Sequence, residues 1–253
     1  MFSWKSFLSE LENPILGIIN ITPDSFFGDG VLGSTKLLND RFLLAKEMNI
    51  GFLDIGCIST KPNFEILKNQ EELRRFEFFL KNMKKNFKFS IDSNNLEVIS
   101  KALDAGFSVV NDVYGLSNEK IISKAIKSKC GIIVVHRHPS SENLHDKMEY
   151  KDVVKEVNVQ LNNQVSKLIN LGINKSQIAI DPGLGFGKNI EDSARLLLNI
   201  EDLAGELPII VGYSNKRFLD LISLTNESLL KLCYNSGVSV SYTHLTLPTT
   251  PYV

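Results

Sequence analysis

The chain has 253 residues, 43% of them hydrophobic and 23% charged, with a formal net charge of −1. That length holds one large domain or two small ones, and the composition is that of an ordinary globular protein. Near-neutrality excludes a strong attractive field for nucleic acid or an anionic membrane surface, so an anionic ligand must be caught by local basic groups and backbone N–H groups.

The first residues, Met1-Phe2-Ser3-Trp4-Lys5-Ser6-Phe7, lack the basic-then-apolar order of a secretory signal. Ile15–Asn20 is too apolar and too brief for a surface helix and reads as a buried strand. It stops abruptly in Asn20-Ile21-Thr22-Pro23-Asp24-Ser25-Phe26, a crowd of hydrogen-bonding groups followed by the loop Gly28-Asp29-Gly30. A helix is predicted over Leu37–Met48, then a strand over Phe52–Ile55 that runs into Gly56-Cys57-Ile58-Ser59-Thr60-Lys61-Pro62.

The alternation continues with a helix over Glu71–Met83 and a strand over Phe87–Ile91, then a helix over Asn94–Ala105 that Gly106 stops. Strands over Ser108–Asn111 and Gly131–His136 bracket a helix over Asn118–Lys127. The helix Lys151–Leu171 precedes a strand over Ile178–Asp181, which ends in Asp181-Pro182-Gly183-Leu184-Gly185-Phe186-Gly187-Lys188. The helix Ile190–Leu203 leads to a strand over Pro208–Val211 that ends in Gly212-Tyr213-Ser214-Asn215-Lys216-Arg217. Helices over Asn215–Ser223 and Glu227–Asn235 follow, the latter ending near Gly237.

Strand-then-helix units with short connections specify a parallel sheet. Their number in a chain of this length, with no Pro/Gly/Ser-rich linker, favours one closed barrel over an open doubly wound sheet. The fold class is therefore α/β, a (β/α)8 TIM barrel. No apolar run approaches the roughly 20 residues that span a bilayer. Three distant cysteines, Cys57, Cys130 and Cys233, show no C-x-x-C spacing, which points to a reducing cytoplasm rather than to disulfides or zinc.

The segment from Val240 to Thr249 resembles a translated sequencing-library adapter, although Tyr, Thr and Leu also suit a natural strand. On the first reading, residues 1–239 form the domain, residues 240–253 are a non-native tail, and His244 has no function. The barrel then lacks its eighth strand and last helix, leaves unpaired edges, and is expected to be poorly folded and nearly inactive.

In a barrel the strand ends meet at one rim, where buried polar groups need partners. Taken singly, each has a plain explanation. Asp54 and Asp112 read best as caps or loop holders. Asp92 reads equally as the cap of the helix near Asn94 or as a site residue. Ser59 and Thr60 suit a turn, and Lys151–Lys155 a solvated helix face. His136 and His138 lack acidic partners at metal spacing and read as structural or pocket-lining. Asp181 sits beside a glycine turn that lets a ligand approach, on a strand whose apolar approach buries its base; a flat guanidine-like edge is the natural partner for such a carboxylate. Phe186 either packs near that ligand or anchors its loop in the core. Lys216 lies in a first helical turn, against the dipole, which raises the odds of a role with an anion.

Together, Asn20-Ile21-Thr22-Pro23-Asp24-Ser25-Phe26, Ser90-Ile91-Asp92, Asn111-Asp112, Asp181-Pro182-Gly183-Leu184-Gly185-Phe186 and Gly212-Tyr213-Ser214-Asn215-Lys216 resemble the dihydropteroate synthases in order and spacing. The resemblance implies condensation of 6-hydroxymethyl-7,8-dihydropterin diphosphate with p-aminobenzoate, in a cytoplasmic enzyme that is a homodimer at full length. It implies that Asp92, Asn111, Asp181 and Lys216 meet the pterin, with Asp92, Asp181 and Lys216 central to catalysis. Thr22, Asp24, His136, Phe186 and Gly212 complete the pocket, and Asn20 is associated with Mg2+. Ser59, Thr60, Lys61 and Pro62 match the loop that meets p-aminobenzoate. The first two loops would close over the reaction.

The second loop departs from the family's Gly-Glu-Ser-Thr-Arg-Pro-Gly, with Cys57, Ile58, Lys61 and Asn63 in place of Gly, Glu, Arg and the last Gly. Lys61 keeps the charge without the bidentate fork. The family's final Arg-x-His, which binds diphosphate, would fall on the eighth strand. Two rivals stand beside this reading: a corrinoid-linked methyltetrahydrofolate methyltransferase, and a non-catalytic paralogue that keeps the pterin pocket.

Overall fold

The computed structural model describes residues 1–23, 30–58, 69–141, 146–203 and 205–212, and the backbone of 238–244. Eight parallel strands close into a barrel in chain order. They are β1 (Ile15–Asn20), β2 (Phe52–Gly56), β3 (Lys88–Asp92), β4 (Val109–Asp112), β5 (Gly131–Val135), β6 (Ile178–Asp181), β7 (Ile209–Gly212) and β8 (Val238–His244).

The helices described are α1 (Trp4–Ser9), α2 (Thr35–Glu47), α3 (Asn69–Asn82), α4 (Leu96–Asp104), α5 (Glu119–Ser128), α6 (Val153–Asn170) and α7 (Ile190–Leu198). The two helices expected over 215–223 and 227–235, and any helix after β8, lie outside the described residues. Among the described residues, no helix is long and apolar enough to cross a membrane.

Short polar side chains start the helices where each strand-end loop hands over. Ser34, Asn95, Asn118, Asp152 and Asn189 accept backbone N–H groups of the first turns of α2, α4, α5, α6 and α7. Each such cap stabilises its helix by about 1 kcal/mol. Asn95 thus takes the capping role that Asp92 was a candidate for, and Asp92 stays on its strand.

Side-chain alternation along the strands separates two apolar layers. Outward residues such as Ile55, Ile91, Val110 and Ile180 pack under the helices. Inward residues Leu16, Phe52, Val109, Ile133, Ala179 and Ile210 fill the barrel with Trp4 and Phe7 of α1. The Trp4 indole donates to the carbonyls of Gln177 (2.9 Å) and Ile132 (3.3 Å), and the Phe7 and Phe52 rings meet edge-on at 4.8 Å. The amino-terminal end of the barrel is therefore plugged, which leaves the carboxyl-terminal mouth for a ligand.

The barrel was expected to lack its eighth strand, and that expectation is corrected: β8 pairs in parallel with both β7 and β1. The physical reason is that two free strand edges accept any extended segment, because the ladder uses main-chain groups alone. An alternating Val-Ser-Val-Ser-Tyr-Thr run has the strand propensity to fill that place. Its pairing starts at Val238 and runs across the boundary drawn at 239/240.

Candidate active site

Sheet register assembles the mouth. Asn20 is paired with Gly56, Gly56 with Asp92, and Asp92 with Asn111, so one lateral row crosses four strand ends. The row continues through Ile133 to Ala179, while Asp181 lies two residues further up, opposite Val135. Strand tilt accounts for this climb. Asn20, Asp92, Asn111 and Asp181 are thereby brought to one rim from β1, β3, β4 and β6.

Gly56 is part of this arrangement, although its sequence context gave it no role. A Cβ at that position would lie 3.1 Å from Asn20 Oδ1 and 3.8 Å from Asp92 Oδ2. A bare glycine lets those two side chains share the space above β2. Two polar atoms at the mouth, Thr22 Oγ1 and Asn111 Oδ1, are buried and have no hydrogen-bond partner among the described residues. Such atoms cost stability unless a ligand or water meets them.

Beneath the row sits Asp54, fully buried. It was expected to hold a loop or cap a segment, and that is corrected: it points into the barrel, where Ser90 Oγ donates to one oxygen and Asn111 Nδ2 to the other at 2.9 Å. The signal was its parity with Phe52 and Gly56 on β2. Burial first, then the negative charge of Asp54, raises Asp92 well above the ordinary carboxylate range, with Asp112 and Glu72 adding to it. A ligand edge that donates hydrogen bonds would favour the ionised form of Asp92 and draw this group back down.

Asp112 holds a loop: its Oδ1 accepts the Tyr114 N–H at 2.8 Å. Burial, partly offset by backbone donors and Arg137, pushes its carboxyl from 3.8 up to about 6. The native chain keeps a proton there that the unfolded chain releases, so this group's contribution falls as pH rises through that window. Asp112→Asn keeps the acceptor oxygen and removes the titration. Urea melts at about pH 4 and about pH 7 should show the variant gaining about 2–3 kcal/mol relative to the parent on the way up. Equal pH slopes would reject a buried acid at this position.

The β6 loop is built around Lys188, which sequence reasoning left unused. Its buried ammonium donates to Gly183 O (2.9 Å), Phe186 O (3.1 Å) and His136 Nδ1 (2.9 Å). An ammonium only donates, so Nδ1 accepts and Nε2–H is given to Gln160 Oε1 at 2.6 Å. Burial and then the Lys188 charge push His136 down to about 3, so its imidazole is neutral. Asp181 Oδ1 accepts the Gly183 N–H at 2.7 Å, which fixes the carboxylate at the start of the loop. Leu184 is the loop's core anchor, while the partly exposed Phe186 packs on the barrel-interior cluster.

A cavity of about 290 Å3 opens beside the mouth, lined by His136, Arg137, His138, Tyr114, Gln160 and Gln164 among others. Both histidines line it, and neither joins a metal-binding cluster among the described residues. Gly212 ends β7, partly exposed, in register with β8. Cys57 faces the outer core, fully buried, so this departure from the family pattern changes packing rather than the mouth. Asp24, Ser59, Thr60, Lys61, Pro62 and Lys216 lie outside the described residues. The eighth strand carries no arginine.

The pterin binding enzyme family matches residues 16–243. The dihydropteroate synthase of Escherichia coli (strain K12) is 31% identical over 217 residues, covering 83% of this chain and 76% of that protein. The folic acid synthesis protein fol1 of Pneumocystis carinii is 31% identical over 237 residues, which are 89% of this chain but only 31% of that longer protein. Among solved structures, the Xanthomonas albilineans dihydropteroate synthase with 4-aminobenzoic acid superposes with a TM-score of 0.79 at 28% identity, covering 92% of this chain and 88% of the other.

Proposed function

This chain belongs to the pterin-binding enzymes and within them to the dihydropteroate synthases, and from that premise we propose that it joins 6-hydroxymethyl-7,8-dihydropterin diphosphate to p-aminobenzoate, giving 7,8-dihydropteroate and pyrophosphate. It is a transferase of folate biosynthesis. The observation that carries the reading is the convergence of Asn20, Asp92, Asn111 and Asp181 on one open rim above a plugged barrel.

In this reading Asp92, Asn111 and Asp181 grip the N–H edges of the pterin, and Phe186 lies against its ring. Lys216 reaches the ring's polar edge or the phosphorylated arm. The methylene C–O bond breaks and its electron pair leaves with the diphosphate. The arylamine nitrogen then forms the new C–N bond and sheds a proton. The electron-rich dihydropterin carries the developing positive charge, so orientation and exclusion of water supply most of the rate. Thr22, Asp24, Ser59, Thr60, Lys61 and Pro62 serve as the loops that meet p-aminobenzoate and shield the cation.

Mg2+ fits this mouth as an ion shared with the substrate. Asn20 offers one amide oxygen, and no cage of three His, Cys, Asp or Glu exists among the described residues. A hard cation held this way would draw its other oxygens from diphosphate and water, and would supply stabilisation of the leaving group's charge. The reading extends to a homodimer, checked by sedimentation, and to a cytoplasmic setting, which suits the buried free thiols of Cys57 and Cys130.

The test is incubation with both substrates, following pyrophosphate and dihydropteroate. Product supports the synthase. Methyl transfer requiring a corrinoid partner would mark the methyltransferase, and pterin binding without either reaction the non-catalytic paralogue.

A further inference from the structure

We propose that Asp54 is a positioning residue that fixes the orientation of the Asn111 amide, so that the pocket presents a hydrogen-bond acceptor to a ring N–H of the ligand. The inference rests on the pterin reading of the mouth and concerns which way one amide faces.

Asp54 and Ser90 are fully buried and Asn111 is 5% exposed, so none of the three has bulk water as an alternative partner. Asp54 lies in register with Ser90, one step below the Gly56–Asp92 pair, and so sits directly under the site. The two carboxylate oxygens take the Ser90 hydroxyl and the Asn111 Nδ2. A carboxylate accepts only, so the amide must turn its N–H2 down toward Asp54 and its oxygen away from it. That oxygen, Asn111 Oδ1, has no partner among the described residues. A ligand donor is what it lacks, and a ligand offering an acceptor there would meet a like group. The choice of donor over acceptor is therefore made one layer below the surface the ligand touches.

Isosteric exchange tests this. In Asp54→Asn, the new amide oxygen still accepts from Ser90, and its N–H2 needs an acceptor from Asn111. The Asn111 amide then turns over and presents a donor to the ligand's donor. Binding of 6-hydroxymethylpterin, measured by calorimetry, should weaken about tenfold to a hundredfold, as an unmatched buried hydrogen-bonding group costs. The KM for p-aminobenzoate should stay within about twofold.

The double variant Asp54→Asn with Asn111→Asp restores acceptors on both faces of position 111 and should recover most of the lost affinity. Ser90→Ala removes a donor to Asp54 without touching the Asn111 contact and should change pterin binding less than about threefold. Four results would overturn the proposal: unchanged binding in Asp54→Asn, no recovery in a double variant that melts like the parent, an equal loss in Ser90→Ala, or loss of the cooperative melt in Asp54→Asn, which would assign Asp54 to folding. Failure of the unmodified chain to bind the pterin would instead reject the functional reading.

Discussion

Asp181→Asn is expected to lower kcat/KM for the dihydropterin substrate by roughly two decades or more while leaving the melting temperature near that of the parent. The carboxylate ends β6 on a strand whose Ile178, Ala179 and Ile180 are fully buried, so its base is desolvated. One oxygen accepts the Gly183 N–H at 2.7 Å, and an asparagine oxygen takes over that bond unchanged. The turn therefore survives, and with it the loop held by Lys188. What changes is the other arm, where an acceptor becomes an N–H2 that faces a ligand edge made of donors. A donor–donor mismatch in a buried site costs more than a missing bond, because both partners lose water without gaining each other. Steady-state kinetics with p-aminobenzoate saturating separate this from a packing defect. Near-parental kcat/KM would remove Asp181 from the pterin contact.

The strands were legible because a parallel barrel buries them on both sides, which leaves short apolar runs with a polar residue at each end. Asn20, Asp92, Asn111 and Asp181 stood out by that position alone. The parts that stayed hidden are those whose meaning depends on register. Asp92 and Asn95 are both plausible caps in one dimension; only the helix start at Leu96 separates them. Asp54 looked like loop chemistry because its partners, Ser90 and Asn111, are 36 and 57 residues away. Lys188 carried no signal of its own at the end of a glycine loop, yet its ammonium is the centre about which that loop folds.

Helix α1 was missed for a different reason. Six residues with no side-chain cap carry almost no helical signal of their own, and the segment is helical because Trp4 and Phe7 fit the floor of the barrel. The eighth strand shows the same logic in the opposite direction. Compositional reading weighed where the segment came from, whereas the edges of β1 and β7 select only for an extended backbone.

Gly183→Ala should be the most damaging small substitution at the mouth, and a second glycine supplies its control. Gly183 has φ +64°, and a Cβ there would sit 2.3 Å from the carbonyl oxygen of His136. Left-handed backbone costs alanine about 1–2 kcal/mol, and forcing a methyl into packed backbone adds about 1–3 kcal/mol. Gly205 has φ +59° with nothing within 4 Å of its Cβ position, so Gly205→Ala carries the first cost without the second. Thermal melts should place Gly205→Ala a few degrees below the parent and Gly183→Ala lower by about 6–12 °C in all. The larger loss should be accompanied by a disproportionate fall in kcat/KM for the pterin, because relieving the clash lifts the loop that carries Asp181 and Phe186 away from His136. Equal melting temperatures for the two variants would mean that the β6 loop does not ride on the end of β5, and the clamp made by Lys188 would lose its purpose.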